Sequence, residues 1–85
     1  MQKQLKILLL EDNRTDAEII ERLLRKEVSP CECRLATNKQ GFINLLTDFI
    51  PDVIISDNTL PKFSAAEALK IVRDQGLELP FILVT

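Results

Sequence analysis

Three features of this 85-residue chain predict an open α/β fold, a doubly wound parallel sheet with helices on both faces. Short apolar runs exchange with amphipathic stretches along the whole sequence. The runs are continuous rather than alternating, as in strands buried on both faces. Each amphipathic stretch also opens on a residue suited to cap a helix. Strands and helices in strict alternation imply parallel βαβ units joined by right-handed crossovers.

The first run, Lys6-Ile7-Leu8-Leu9-Leu10, predicts a buried strand. From Asn13 the period changes to 3.6: Ala17, Ile20 and Leu24, with Ile19 and Leu23, mark an apolar face, while Glu18/Arg22 and Glu21/Arg25 pair at i,i+4 on the wet side. A helix from about Thr15 to Glu27 follows. Thr15 with Glu18 fits a capping box and Asn13 offers an alternative cap; Ser29-Pro30 ends the helix. Residues 31–36 are a short candidate strand, and Asn38 caps a second helix whose apolar face is Phe42, Leu45, Leu46 and Phe49. Gly41 weakens that helix by roughly 1 kcal/mol relative to alanine. After Pro51, residues 52–57 predict another buried strand, with two β-branched isoleucines at its centre. Residues 58–62 form a loop. Ser64 and Glu67 make a second capping box, and Ala68, Leu69 and Val72 are the stripe of a helix closed near Gly76. Residues 80–85 give a fourth strand, apolar on both faces.

Composition narrows the chemistry. The chain has one domain's worth of residues, 46% hydrophobic and 28% charged, with a net charge of -2, so it carries no electrostatic footprint for nucleic acid or anionic lipid. No apolar run approaches the roughly 18 residues of a membrane span and no signal-peptide pattern is present, so the expected compartment is the cytoplasm. There is no histidine, which excludes Ser/His/Asp and Cys/His nucleophile pairs and most zinc sites. With only two glycines, neither a P-loop nor a dinucleotide-binding turn can be built. Cys31 and Cys33 lack the redox C-x-x-C spacing and the two further ligands of a structural zinc, and read as two free thiols in a strand.

Ligands of an open α/β sheet bind beyond the carboxyl ends of the strands, where strand order reverses. There the first strand presents Glu11 and Asp12, the third Asp57 and the fourth Thr85. Each alone has an ordinary explanation: Asp12 as a helix cap, Glu11 as a solvated strand-end acid, Asp57 as an acceptor for its loop, Thr85 as a β-branched strand residue. Together they form a constellation. Like charges about 4 Å apart repel by about 4 kcal/mol at an effective dielectric near 20, so three acids call for protonation or a cation. Mg²⁺, which prefers oxygen ligands and is held by one or two carboxylates plus a phosphate oxygen, is the natural counterpart.

The segments Ile7-Leu8-Leu9-Leu10-Glu11-Asp12-Asn13, Pro51-Asp52-Val53-Ile54-Ile55-Ser56-Asp57-Asn58-Thr59-Leu60-Pro61 and Pro80-Phe81-Ile82-Leu83-Val84-Thr85 resemble the receiver domain of bacterial two-component response regulators, over the whole chain. The resemblance implies a flavodoxin-like strand order 2-1-3-4-5, of which strands 1 to 4 are present. It implies Asp57 as phosphoryl acceptor, Asp12 as a direct ligand of Mg²⁺ (or Mn²⁺), Glu11 as an acid holding the ion through water, the Thr59 backbone carbonyl as a further ligand, and Thr85 as the switch hydroxyl. The expected partner is a sensor histidine kinase or phosphotransfer protein, with no nucleic acid or membrane bound through these residues. Two departures stand out. The glycine usual a few residues after Leu60-Pro61 is replaced by Lys62-Phe63-Ser64-Ala65-Ala66. The fourth and fifth helices and the fifth strand with its lysine are also missing, so residues 1–85 are expected to be the N-terminal portion of a receiver.

On this reading the chain is a phosphoryl-accepting signalling module rather than an enzyme. One alternative is a receiver-like interaction module that is not phosphorylated, which leaves three mutually repelling acids unexplained. Another is an aspartate-nucleophile phosphatase of the haloacid-dehalogenase type, which wants a second aspartate two residues after the first, where this chain has Thr59. With the uncharged fourth strand unpaired on its outer edge, the 85-residue chain is expected to be either self-associated through that strand or its helical face, or markedly unstable.

Overall fold

A computed structural model describes residues 4–28, 30–57 and 62–84. Within them the chain runs β1 (Leu5–Leu10), α1 (Arg14–Glu27), β2 (Cys31–Ala36), α2 (Lys39–Asp48), β3 (Val53–Asp57), α3 (Ala65–Asp74) and β4 (Phe81–Val84). The four strands form one parallel sheet in the order β2-β1-β3-β4. This is the expected fold class.

Strand alternation divides the core. Leu8, Leu10 and Ile54 point to the face covered by α2 and α3, where they pack with Phe42, Leu46, Phe63, Ala68 and Val72. Ile7, Leu9 and Ile55 point to the other face and pack under Ala17, Ile20 and Leu24 of α1. The central strand β1 is therefore buried on both sides, which is why its sequence is an unbroken apolar run.

Each helix begins where a short polar side chain takes over an orphan backbone donor. Asn13, not Thr15, caps α1: its side chain accepts from the Asp16 amide at 3.1 Å, so the helix starts at Arg14. Asn38 accepts from Gly41 N at 2.8 Å, and the Ser64 hydroxyl accepts from Glu67 N at 3.1 Å. Gly76 closes α3 in the left-handed region at φ 71°, a conformation open to glycine at no steric cost. At the end of α2 the same job falls to Ile50, at φ 52°.

The sequence places Ile19 and Leu23 with the apolar face of α1, but they are 51% and 56% exposed. One helix cannot cover a four-stranded face, and α1 is the only helix packed on that side among the described residues. Ile82 and Val84 share this face by register with Ile55 and Asp57 and are likewise exposed. β4 is an outer strand, apolar on both faces as expected.

Candidate functional site

The parallel register lines up the carboxyl ends of the strands. Leu10 lies beside Ala36 of β2 and Ser56 of β3, and Asp57 lies beside Val84 of β4. The residues that follow Leu10 and end β3 thus meet at one edge of the sheet. The Glu11 amide donates to Ala36 O at 3.1 Å, prolonging the β1–β2 ladder by one step, after which Asp12 turns out to solvent.

One carboxylate oxygen from each of Glu11, Asp12 and Asp57 lies within 4.8 Å of the others. Glu11 is the buried member, 3% exposed, and its Oε2 accepts from the Asn13 amide at 3.4 Å. Burial raises its pKa from 4.5 to about 7, with further upward pushes from its side-chain hydrogen bond to Asp57, the Asp57 charge and a hydrogen bond to Asp12; the Asn13 amide pulls the other way. A buried carboxyl whose proton affinity neighbouring carboxyls raise further marks a surplus of negative potential, and that potential is what a divalent cation relieves. The donor set is all oxygen, which suits Mg²⁺ or Mn²⁺. Glu11 and Asp57 stand in the wall of a cleft of about 290 Å³ lined also by Leu9, Asp16, Ile19, Ile20, Ile55 and Val84, while Asp12 borders a neighbouring cleft with Asn38 and Phe63.

Glu11, Asp12 and Asp57 therefore stand together as the sequence predicts. Thr59 and Thr85, the other two expected site residues, lie outside the described residues. Asp52, the remaining acid of β3's segment, belongs to the opposite end of the sheet: its Oδ2 accepts from Lys6 N at 2.9 Å and its amide donates to Lys6 O at 2.8 Å. Sequence reasoning did not single out Ser56. It is fully buried and its hydroxyl donates to Asp57 O at 3.2 Å, securing the backbone at the third acid. A small polar residue just before the strand-end acid was the available signal.

A family model described as "Response regulator receiver domain" matches residues 7–85. The chain belongs to this family. The transcriptional regulatory protein DltR of Streptococcus agalactiae is 32% identical over 81 residues, covering 95% of this chain and 35% of that protein. The probable C4-dicarboxylate response regulator DctR of Bacillus subtilis is 29% identical over 83 residues, 98% of this chain and 37% of that one. The chain thus spans about a third of the length of these relatives. Among solved structures, a response regulator receiver domain from Bermanella marisrubri superposes with a TM-score of 0.85 at 21% identity, over 98% of this chain and 69% of the other. The bacteriophytochrome response regulator AtBRR gives 0.74 at 26% identity, over 96% and 66%. As a receiver domain the chain is a phosphoacceptor signalling module. No described helix is long and apolar enough to cross a membrane.

Proposed function

We propose that Asp57 receives a phosphoryl group from a phosphohistidine of a partner kinase or phosphotransfer protein, in the cytoplasm. The observation that carries the reading is the convergence of Glu11, Asp12 and Asp57 from two strand ends on one point of the sheet edge. Asp57 ends β3 and faces the cleft, so its carboxylate can approach phosphorus in line. The P–O bond to Asp57 forms as the P–N bond to the donor imidazole breaks. The chain has no histidine, which fits a donor supplied in trans. Mg²⁺ or Mn²⁺, when bound, supplies charge neutralisation for the transferred oxygens. Asp12 would hold it directly with the Thr59 carbonyl, and Glu11 through water. Phosphorylation places about -1.5 to -2 charges at Asp57, and Thr85 is the hydroxyl we assign to turn toward them.

The rest of the reading concerns the whole protein. We take residues 1–85 as the N-terminal portion of a receiver, since they cover 69% of the Bermanella chain, and we assign the output to other parts of the polypeptide. The test is phosphorylation with acetyl phosphate and Mg²⁺, borohydride trapping and peptide mapping of the wild type and Asp57→Asn. Label confined to Asp57 and lost in the variant is expected. Equal labelling of the variant, or label on Asp52, overturns the assignment.

A further inference from the structure

The acid trio meets two clefts of unlike character. Asp12 borders one that is flanked by Lys39 and Lys62. The other, which holds Asp57 and Glu11 in its wall, adds the acid Asp16 and the apolar residues Ile19, Ile20 and Val84, and no basic residue lines it. Asp16 is an acid of this cleft that the trio does not include. It is exposed in the first turn of α1, where its amide is held by the Asn13 cap. The ion pairs among the described residues join Arg25 to Glu21 and Arg34 to Glu32, so no cation offsets its carboxylate there.

A donor that reaches Asp57 through this cleft brings its leaving group into the field of Asp16. As Asp57 bonds to phosphorus, the bond from phosphorus to the donor's leaving atom breaks and that atom keeps the electron pair. Acetyl phosphate thereby releases acetate, an anion. A donor whose bridging nitrogen enters protonated, such as phosphoramidate or a phosphoimidazole, releases a neutral amine or imidazole. A cleft of about 290 Å³ spans about 7 Å, within the roughly 8 Å Debye length of physiological salt, so a charge in its wall still acts on a guest. One unit charge acting on another over about 7 Å changes a rate by about threefold in water, and by more in a lower dielectric. An uncompensated carboxylate therefore disfavours an anionic leaving group and tolerates a neutral one.

We propose that Asp16 is a specificity-determining residue of the phosphotransfer, selecting donors that leave as a neutral nitrogen base against donors that leave as a carboxylate. The inference rests on the assignment of Asp57 as acceptor. The apolar walls of Ile19, Ile20 and Val84 beside the acids add that the partner presents its phosphohistidine among apolar or basic side chains rather than acidic ones.

The test compares the initial rates at which the full chain takes label on Asp57 from acetyl phosphate and from phosphoramidate, each with excess Mg²⁺, followed by mass spectrometry after quenching. Asp16→Asn should raise the ratio of the acetyl phosphate rate to the phosphoramidate rate about two- to threefold at low salt, and the gain should disappear at 1 M salt, where the Debye length is about 3 Å. Glu18→Gln removes the same charge from the same helix but outside the cleft, beside Glu21, Arg22 and Arg25, and should leave the ratio unchanged. Both substitutions fall at exposed positions, and because the ratio is taken within one protein, a variant with a smaller folded fraction still reports. A ratio that Asp16→Asn does not move, or that Glu18→Gln moves as far, overturns the inference while Asp57 remains the acceptor. A wild type that takes no label on Asp57 overturns the acceptor assignment and this inference with it.

Discussion

Replacing Glu11 by glutamine should stabilise the metal-free protein at neutral pH, and the effect should vanish in acid. The carboxyl is 3% exposed and its pKa rises from 4.5 to about 7, first through burial and then through Asp57. Because the folded value is the higher one, the native state binds a proton that the unfolded chain has already released. Stability therefore falls as pH climbs from about 4.5 to 7 and is level above that. A shift of this size corresponds to about 3 kcal/mol in full, but the cleft beside the carboxyl admits water, and screening reduces the expected effect to about 1 kcal/mol. Glutamine keeps the acceptor for the Asn13 amide and offers Asp57 a donor without a charge. In EDTA at pH 8, Glu11→Gln should need about 0.5–1 M more urea to unfold, at an m-value of about 1–2 kcal/mol/M; at pH 4.5 the two curves should coincide. Adding Mg²⁺ should narrow the gap by stabilising the wild type more. Parallel stability curves for the two proteins between pH 4.5 and 8 would refute the electrostatic account of the trio.

Ile50 holds a left-handed backbone at φ 52° just before Pro51, with its side chain 66% exposed. Ile50→Gly should relieve about 1–2 kcal/mol of strain, lose part of it to unfolded-state entropy, and raise the melting midpoint in calorimetry; a lowered midpoint would show that Ile50 packs in a way its exposure hides. Phe42 is fully buried with its ring centroid 5.5 Å from that of Phe63, so Phe42→Ala should cost about 3–5 kcal/mol in urea unfolding. Removing the Asn38 cap by Asn38→Ala should cost about 1 kcal/mol, seen as faster amide exchange in the first turn of α2 with little change in β1.

Burial on both faces makes strands easy to read, because an unbroken run such as Ile7 to Leu10 has no other economical home in a small protein. The three carboxylates were legible for the same reason: parallel register places every strand's last residue at one edge, so Glu11, Asp12 and Asp57 meet once the strand order is known. The helix starts were harder. Asn13 and Thr15 both satisfy the rules for a cap, and the choice shows only in the fold, where the Asn13 side chain accepts from the Asp16 amide. Ile19 and Leu23 obey the helical period that marks a buried face, but periodicity measures orientation around a helix axis and says nothing of whether a neighbour stands opposite. Ile50 offers no signal at all, since nothing in an isoleucine announces a left-handed turn.

β1 lies in the middle of the sheet, and its neighbour β3 is far along the chain: Lys6 meets Asp52 across a separation of 46 residues. The three acids cannot approach one another until that long loop has closed, a step whose entropy must be met before any strand-end contact rewards it. A site that needs this closure is expected to be completed after the folding barrier. Interactions formed after the folding barrier act on the escape rate alone, so divalent metal should leave the refolding arm of a chevron plot in place and lower the unfolding arm. The acidic site would then act as a latch on a finished sheet, lengthening the lifetime of the native chain without hastening its birth.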